Sequence, residues 1–143
     1  PAGYTAVSLT AVWVLTGWWP EGRMHQPYAA HPARTKPPAT HRRTVPLEFT
    51  TVVGGTRITA PARTAIDLLL MEVPDVAIEG ILHLLGAHTD LAAVADQLTR
   101  EKRRQRLGFA REVIEALAEY VAWRTEALSL SASLAGCPSS SNQ

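Results

Sequence analysis

An arginine and an aspartate four residues apart, Arg63 and Asp67, are the clearest candidates for chemistry in this sequence. They belong to the segment PARTAIDLLLM, whose apolar residues have the spacing of one helix face. Side chains four residues apart in a helix are neighbours, so the guanidinium and the carboxylate are expected to form an ion pair. We interpret the pair as a structural clasp rather than as a catalytic or ligand-binding site.

A second candidate is a run of basic residues in the C-terminal half of the chain. Its members are Arg100, Lys102, Arg103, Arg104 and Arg106. Clustered cations of this kind could contact nucleic acid phosphates or an acidic partner. Cations also suit the C-terminal end of a helix, so a solvated helix end is the alternative. The run contains no aromatic residue and the formal net charge of the chain is only +1, which favours the helix end.

The other ionisable residues form no recognisable catalytic or metal-binding pattern. The five histidines lack metal-ligand spacing, and the single cysteine, Cys137, excludes both an internal disulfide and a cysteine-based zinc site. Glu112, Glu115 and Glu119 are spaced like a solvated helix face, with nothing to distinguish an acid from a base. The sequence therefore predicts no catalytic residue, no metal and no cofactor.

A predicted β-hairpin leads directly into the helix that carries the charged pair. Phe49–Val53 and Thr56–Thr59 are rich in β-branched residues and flank a Gly-Gly dipeptide, which fits a two-residue turn. We expect Thr59 or Ala60 to start the helix, with Pro61 in its first turn, where the missing N–H costs nothing. The helix face expected to be buried comprises Ala62, Ala65, Ile66, Leu69 and Leu70.

Upstream of the hairpin, the sequence predicts a buried helix followed by an irregular segment. Residues 5–17 have apolar helical spacing, although their many β-branched residues leave a pair of strands as the alternative. Trp18 and Trp19 would form a lid on the core or an exposed interface. Residues 20–44 contain five prolines and are expected to be extended or irregular, and residues 41–49 are a candidate edge strand.

Downstream of the hairpin, three further helices are predicted. The first starts at Pro74 and spans Asp75–Leu85, and the second begins after a cap at Thr89 or Asp90. The third is a long helix at Phe109–Arg124. The Ser-rich residues 126–143 are expected to be a disordered tail.

Composition and length place these elements in one small globular domain. The chain has 143 residues, of which 46% are hydrophobic and 19% charged, so it can bury a core. We predict an α+β domain over residues 1–125, with a small antiparallel hairpin or sheet packed with about four to five helices. The apolar run at residues 6–19 is too short to span a membrane, and it lacks the basic start of a signal peptide. A cytoplasmic protein without membrane contact is expected.

Two blocks of this sequence resemble the AbiEi-type antitoxin superfamily of type IV toxin–antitoxin systems. The blocks are SLTAVWVLTGWWP and VVGGTRITAPARTAIDLL, and a pattern of helices follows them. In that family, a glycine-bearing hairpin and a block of the form ARTxxDL follow a helix that begins with serine and ends with glycine. The matching residues are Ser8, Trp13 and Gly17 in the first block, and Thr59, Ala62, Arg63, Thr64, Asp67 and Leu68 in the second. The resemblance covers about residues 5–120.

The resemblance implies a non-enzymatic regulatory module that counteracts a nucleotidyltransferase-like toxin through protein–protein contact. Antitoxins of this type repress their own operon through an N-terminal winged helix, which would lie before Pro1. DNA contact would then depend on that winged helix, with auxiliary contacts from Arg100–Arg106. A related actinobacterial group has the same region before a Vsr-like endonuclease domain. An accessory region of such a protein, without its catalytic core, is therefore the alternative.

Overall fold

The computed structural model describes residues 4–23, 29–30, 45–101 and 106–136. The described residues form five helices and a small four-stranded sheet, so the predicted α+β class is confirmed. The strands are β1 (Thr5–Ala6), β2 (Ala29–Ala30), β3 (Thr50–Val53) and β4 (Thr56–Thr59). The helices are α1 (Ser8–Thr16), α2 (Pro61–Met71), α3 (Pro74–Leu84), α4 (Leu91–Arg100) and α5 (Leu107–Ala135).

The predicted hairpin is present and forms one half of the sheet. Strands β3 and β4 pair in an antiparallel register that runs from Thr50 opposite Thr59 to Val53 opposite Thr56. Gly54 and Gly55 have φ angles of 55° and 80°. A two-residue turn with positive φ at both central positions matches the twist of the strands, and glycine adopts it without steric cost. The turn chemistry therefore determines the hairpin.

The other half of the sheet comes from the N-terminal part of the chain, in the order β2-β1-β4-β3. Strand β1 runs parallel to β4, with Ala6 opposite Ile58, and antiparallel to β2. The helix predicted over residues 5–17 therefore begins only at Ser8, and it ends at Gly17, whose φ is 76°. A strand of two residues is too short to show an alternating pattern, so the sequence could not reveal β1.

Helix α2 is the central element of the core. Seven consecutive residues, Arg63–Leu69, are buried, because α1, α3, α4 and α5 all pack against this helix. Of the predicted buried face, Ala65, Ile66 and Leu69 are fully buried, and the other two residues are half-buried. The surrounding helices contribute the fully buried side chains Leu9, Val12, Ile81, Leu84 and Val94. Burial on all sides makes α2 the element that the rest of the fold encloses.

The two tryptophans that follow α1 pack against this core, as a lid would. Trp18 is half-buried and stacks on His83, with 4.9 Å between the ring centroids. Trp19 is also half-buried, and its indole N–H donates a hydrogen bond to the carbonyl oxygen of Arg23 at 3.0 Å. Of the proline-rich segment, residues 24–28 and 31–44 lie outside the described residues.

Helices α3 and α4 lie close to their predicted bounds. Helix α3 begins at Pro74, as predicted, and ends one residue earlier than predicted. Asp90, rather than Thr89, caps α4, because its carboxylate accepts a hydrogen bond from the N–H of Ala93 at 2.7 Å. This bond satisfies a backbone donor that has no partner within the helix.

Two predictions are wrong. Leu47–Phe49 forms a 3₁₀ turn rather than part of an edge strand, since Pro46 bends the chain there and Thr50 Oγ1 donates to the Leu47 carbonyl at 2.7 Å. Helix α5 continues to Ala135, so residues 126–135 are helical and not a disordered tail. Alanine and leucine dominate that stretch, and serine residues alone do not end a helix. Residues 137–143 lie beyond the described part of the chain.

Candidate functional site

Arg63 is the centre of a buried ionic network that joins α2 to the end of α4. Its Nε lies 3.1 Å from Oδ1 of Asp67, and its Nη1 lies 3.1 Å from Oε1 of Glu101. All three side chains are at most 4% exposed. The Gln97 amide donates to the same Glu101 oxygen at 3.1 Å, and the guanidinium carbon lies 5.5 Å from the centre of the Phe49 ring.

The predicted Arg63–Asp67 pair therefore exists, but Glu101 is a member that sequence reasoning missed. Glu101 lies within the basic run, and nothing in its neighbourhood signals a contact with α2. The guanidinium lies between two carboxylates, and all three side chains are enclosed within the fold. The geometry suits a clasp between elements, because the loss of either carboxylate would weaken the compensation of a buried charge.

The remaining residues of the ARTxxDL block also serve the fold. The hydroxyl oxygens of Thr59 and Thr64 lie 2.7 Å apart, and Thr64 Oγ1 lies 3.0 Å from the carbonyl oxygens of Thr59 and Ala60. These contacts hold the last strand residue against the first turn of α2. Leu68 is fully buried on the same helix. The block therefore specifies the junction between the hairpin and the central helix.

A second ion pair joins the segment that follows Trp18 and Trp19 to the C-terminal end of α2. The guanidinium of Arg23 donates to both carboxylate oxygens of Glu72, at 2.6 and 3.4 Å. Glu72 is almost completely buried, whereas Arg23 is one-third exposed. Sequence reasoning missed this pair as well, because the two residues are far apart in the chain.

The basic run is described only at its two ends. Arg100 is the last residue of α4, and its guanidinium pairs with Asp96 at 3.0 Å in an exposed position. Arg106 has a positive φ of 68°, and its guanidinium lies 4.9 Å from the centre of the Phe109 ring. Lys102, Arg103 and Arg104 lie outside the described residues. The two described arginines thus occupy helix boundaries.

The C-terminal half of α5 extends away from the core and has exposed apolar side chains. The N-terminal half is anchored by three buried residues, Ala110, Ile114 and Leu117. Between Leu117 and the end of α5 at Ala135, only Val121 and Ala127 are even partly buried. The large apolar side chains exposed there are Tyr120, Trp123, Leu128, Leu130 and Leu134. A concentration of large exposed apolar side chains on one helix is typical of an interaction site.

A groove, here called the α3–α5 groove, lies where α5 passes the end of α3. Its volume is about 460 Å³. Five apolar side chains line it: Leu82, Leu85, Leu91, Val121 and Leu128. Tyr120, Gly86 and three polar residues, Asp90, Arg124 and Thr125, complete the lining. The groove thus combines an apolar floor with a few polar groups, the arrangement found in many binding sites.

Comparison with known proteins identified no relative: no family model, no curated protein and no solved structure matches this chain. Within the described ranges, no group of three or more His, Cys, Asp or Glu residues could hold a metal ion. Among the helices in the described part of the chain, none is long and apolar enough to cross a membrane.

Proposed function

We propose that this chain is a non-enzymatic module of an AbiEi-like antitoxin that contacts a nucleotidyltransferase-like toxin. The observation that carries the proposal is the apolar surface of the α3–α5 groove, which the core leaves exposed. The two sequence blocks described above support the choice of family. The residues of the second block form the hairpin–α2 junction and make contacts within the fold, so the proposed partner contact lies elsewhere.

The α3–α5 groove is the proposed contact surface for the toxin. Leu82 and Leu128 are 38% and 59% exposed, so a partner's apolar side chains would remove much apolar surface from water. Asp90 and Arg124, of opposite charge, lie in the same groove and would orient the partner through hydrogen bonds. An apolar centre with a polar rim is the usual anatomy of a protein–protein interface.

We assign the basic run Arg100–Arg106 an auxiliary role, in which it contacts nucleic acid phosphates. Arg100 is 60% exposed, so its side chain is accessible to a phosphate. Base recognition would come from the winged helix of the antitoxin family and not from this run, because cationic side chains alone position nucleic acid without reading its sequence. Affinity of this kind falls steeply as salt concentration rises.

The toxin contact is tested by titration calorimetry between the purified chain and a nucleotidyltransferase-like protein encoded beside it. The expected dissociation constant is micromolar or tighter, and Leu128→Glu should weaken binding at least ~10-fold because it places a charge in the apolar groove. No binding of the unmodified chain at micromolar concentrations would contradict the proposal. Divalent-metal-dependent cleavage of DNA by the purified chain would instead favour a relation to Vsr-like endonucleases.

A further inference from the structure

We propose that α5 joins two copies of this chain in a parallel coiled coil, a contact that shares Tyr120 and the flanking Arg124 with the α3–α5 groove. The residues that form it, here called the α5 seam, are Ala116, Tyr120, Trp123, Ala127, Leu130 and Leu134. Their spacing alternates between four and three residues. An apolar repeat of this form is the heptad pattern by which two helices pack side chains into each other's gaps.

Five of the six residues of the α5 seam are exposed to solvent in the isolated chain, and Ala127 is partly buried. Trp123 is 65% exposed, and Leu130 and Leu134 are 61% and 79% exposed. With 3.6 residues per turn, the centre of the seam lies roughly 130° around the helix from the face that contains Ile114 and Leu117. The side of α5 that contacts the core therefore differs from the side that contains the seam. In a coiled coil of two copies, the core of each copy would lie on the outer side of its own α5.

The exposure of the C-terminal half of α5 indicates that this part of the helix packs against a partner. Most of the stability of a helix in a protein comes from packing of one of its faces, and the part of α5 beyond Leu117 has little support from the core. Pairing of two seams would bury roughly 1,000 Å² in total, which reaches the lower end of specific interfaces. A second copy supplies a seam of the same length and spacing.

The charges beside the seam favour a parallel arrangement of two identical helices. Glu119 and Arg124 flank the seam on opposite sides and are exposed. In a parallel pair, Glu119 of one copy faces Arg124 of the second copy, and symmetry produces this contact twice. Glu119 and Glu126 lie on one side of the seam. In an antiparallel pair, this side would face the same side of the second helix, so glutamates would meet glutamates. Opposite charges therefore meet only in the parallel pair.

The side chains of the seam also vary in size in a way that suits self-pairing. Ala127 lies one turn after Trp123, so the small residue of one copy leaves space for the indole of the other. The same indole would lie beside Arg124 of the second copy, where a guanidinium interacts favourably with an aromatic face. Tyr120, whose ring centroid lies 6.3 Å from that of Trp123, would fill the preceding layer.

The oligomeric state of the full chain tests the proposal. Analytical ultracentrifugation at ~100 µM should give a dimer, about twice the 15.5 kDa of the chain. Leu130→Glu should weaken the dimer by roughly 100-fold or more, because it places two like charges in an apolar layer. The matched control is Leu128→Glu: Leu128 is as exposed as Leu130 but lies off the seam. It should leave the dimer intact while weakening toxin binding.

A charge exchange tests the parallel orientation. Glu119→Arg and Arg124→Glu should each weaken the dimer by ~10-fold, and the double variant should restore it, because the opposite charges then meet again. A monomeric unmodified chain at ~100 µM would overturn the proposal, as would equal effects of the Leu128 and Leu130 substitutions. Failure of the double variant to restore the dimer would overturn the parallel arrangement. None of these outcomes depends on the toxin.

Discussion

Arg63 and Glu101 are far apart in the sequence, yet the Nη1 atom of the arginine lies 3.1 Å from the Oε1 atom of the glutamate. Both side chains are almost completely buried, as is Asp67 on the other side of the guanidinium. One buried arginine thus ties the central helix to the residue that follows α4. Because the cost of burying a charge is offset only by its partners, the stability of the fold depends on this geometry.

Asp67→Ala is expected to lower the free energy of unfolding by roughly 3 kcal/mol and the melting temperature by several degrees. The reason is that the substitution deprives a buried guanidinium of one carboxylate. The matched control is Asp96→Ala, which removes an aspartate from a pair of the same spacing whose side chains are about 60% exposed. Its effect should be below ~0.5 kcal/mol. Equal melting temperatures for the two variants, measured by circular dichroism, would contradict this account.

Glu101→Ala should destabilise the protein by a similar amount, roughly 2–3 kcal/mol. Removal of both carboxylates should cost more than the sum of the single losses by at least ~0.5 kcal/mol, since Arg63 then loses both partners. Chemical denaturation of the two single variants and the double variant measures this coupling. Additive effects would show that the two carboxylates act independently.

The sequence predicted those parts of the fold that depend on local chemistry. The Gly-Gly turn, the start of α2 near Pro61 and the capped start of α4 all follow from residues that lie next to one another. The Arg63–Asp67 pair was predictable for the same reason, because one turn of helix separates the two residues.

What the sequence did not predict depends on contacts between distant segments. The parallel pairing of Ala6 with Ile58 and the ion pair of Arg23 with Glu72 join segments with no shared local pattern. Glu101 was missed because it lies among basic residues. The extension of α5 was not predicted because residues 126–135 contain several serines. Their alanine and leucine residues nevertheless allow the helix to continue.

Gly80→Ala should destabilise the protein by about 1–2 kcal/mol, despite the higher helix propensity of alanine. An added Cβ at Gly80 would lie 2.9 Å from Cδ1 of Leu68 and 3.3 Å from the ring of Trp18, and Leu68 is fully buried. Gly108→Ala is the control, because no atom lies within 4 Å of an added Cβ there. That variant should be more stable by up to ~1 kcal/mol. Thermal unfolding compares them, and a stabilised Gly80→Ala variant would contradict the close packing of α2 against α3.

Ser8→Ala should leave the stability unchanged or raise it by up to ~1 kcal/mol. The Ser8 hydroxyl is fully buried and has no hydrogen-bond partner among the described residues. Thr64→Val provides the contrast, because it removes a buried hydroxyl that contacts Thr59 and Ala60, and it should cost ~1–2 kcal/mol. A loss of more than ~1 kcal/mol for Ser8→Ala in urea unfolding would indicate a partner for that hydroxyl.

Hydrogen exchange of the chain with and without the proposed partner, a nucleotidyltransferase-like protein, tests the proposed function most directly. Both samples contain the chain at one concentration, so that pairing of α5 contributes equally. We predict slower exchange on toxin addition in residues 82–91 and 120–128, which line the α3–α5 groove, and no change around Arg63. Unchanged exchange throughout the groove at a saturating toxin concentration would contradict the proposal.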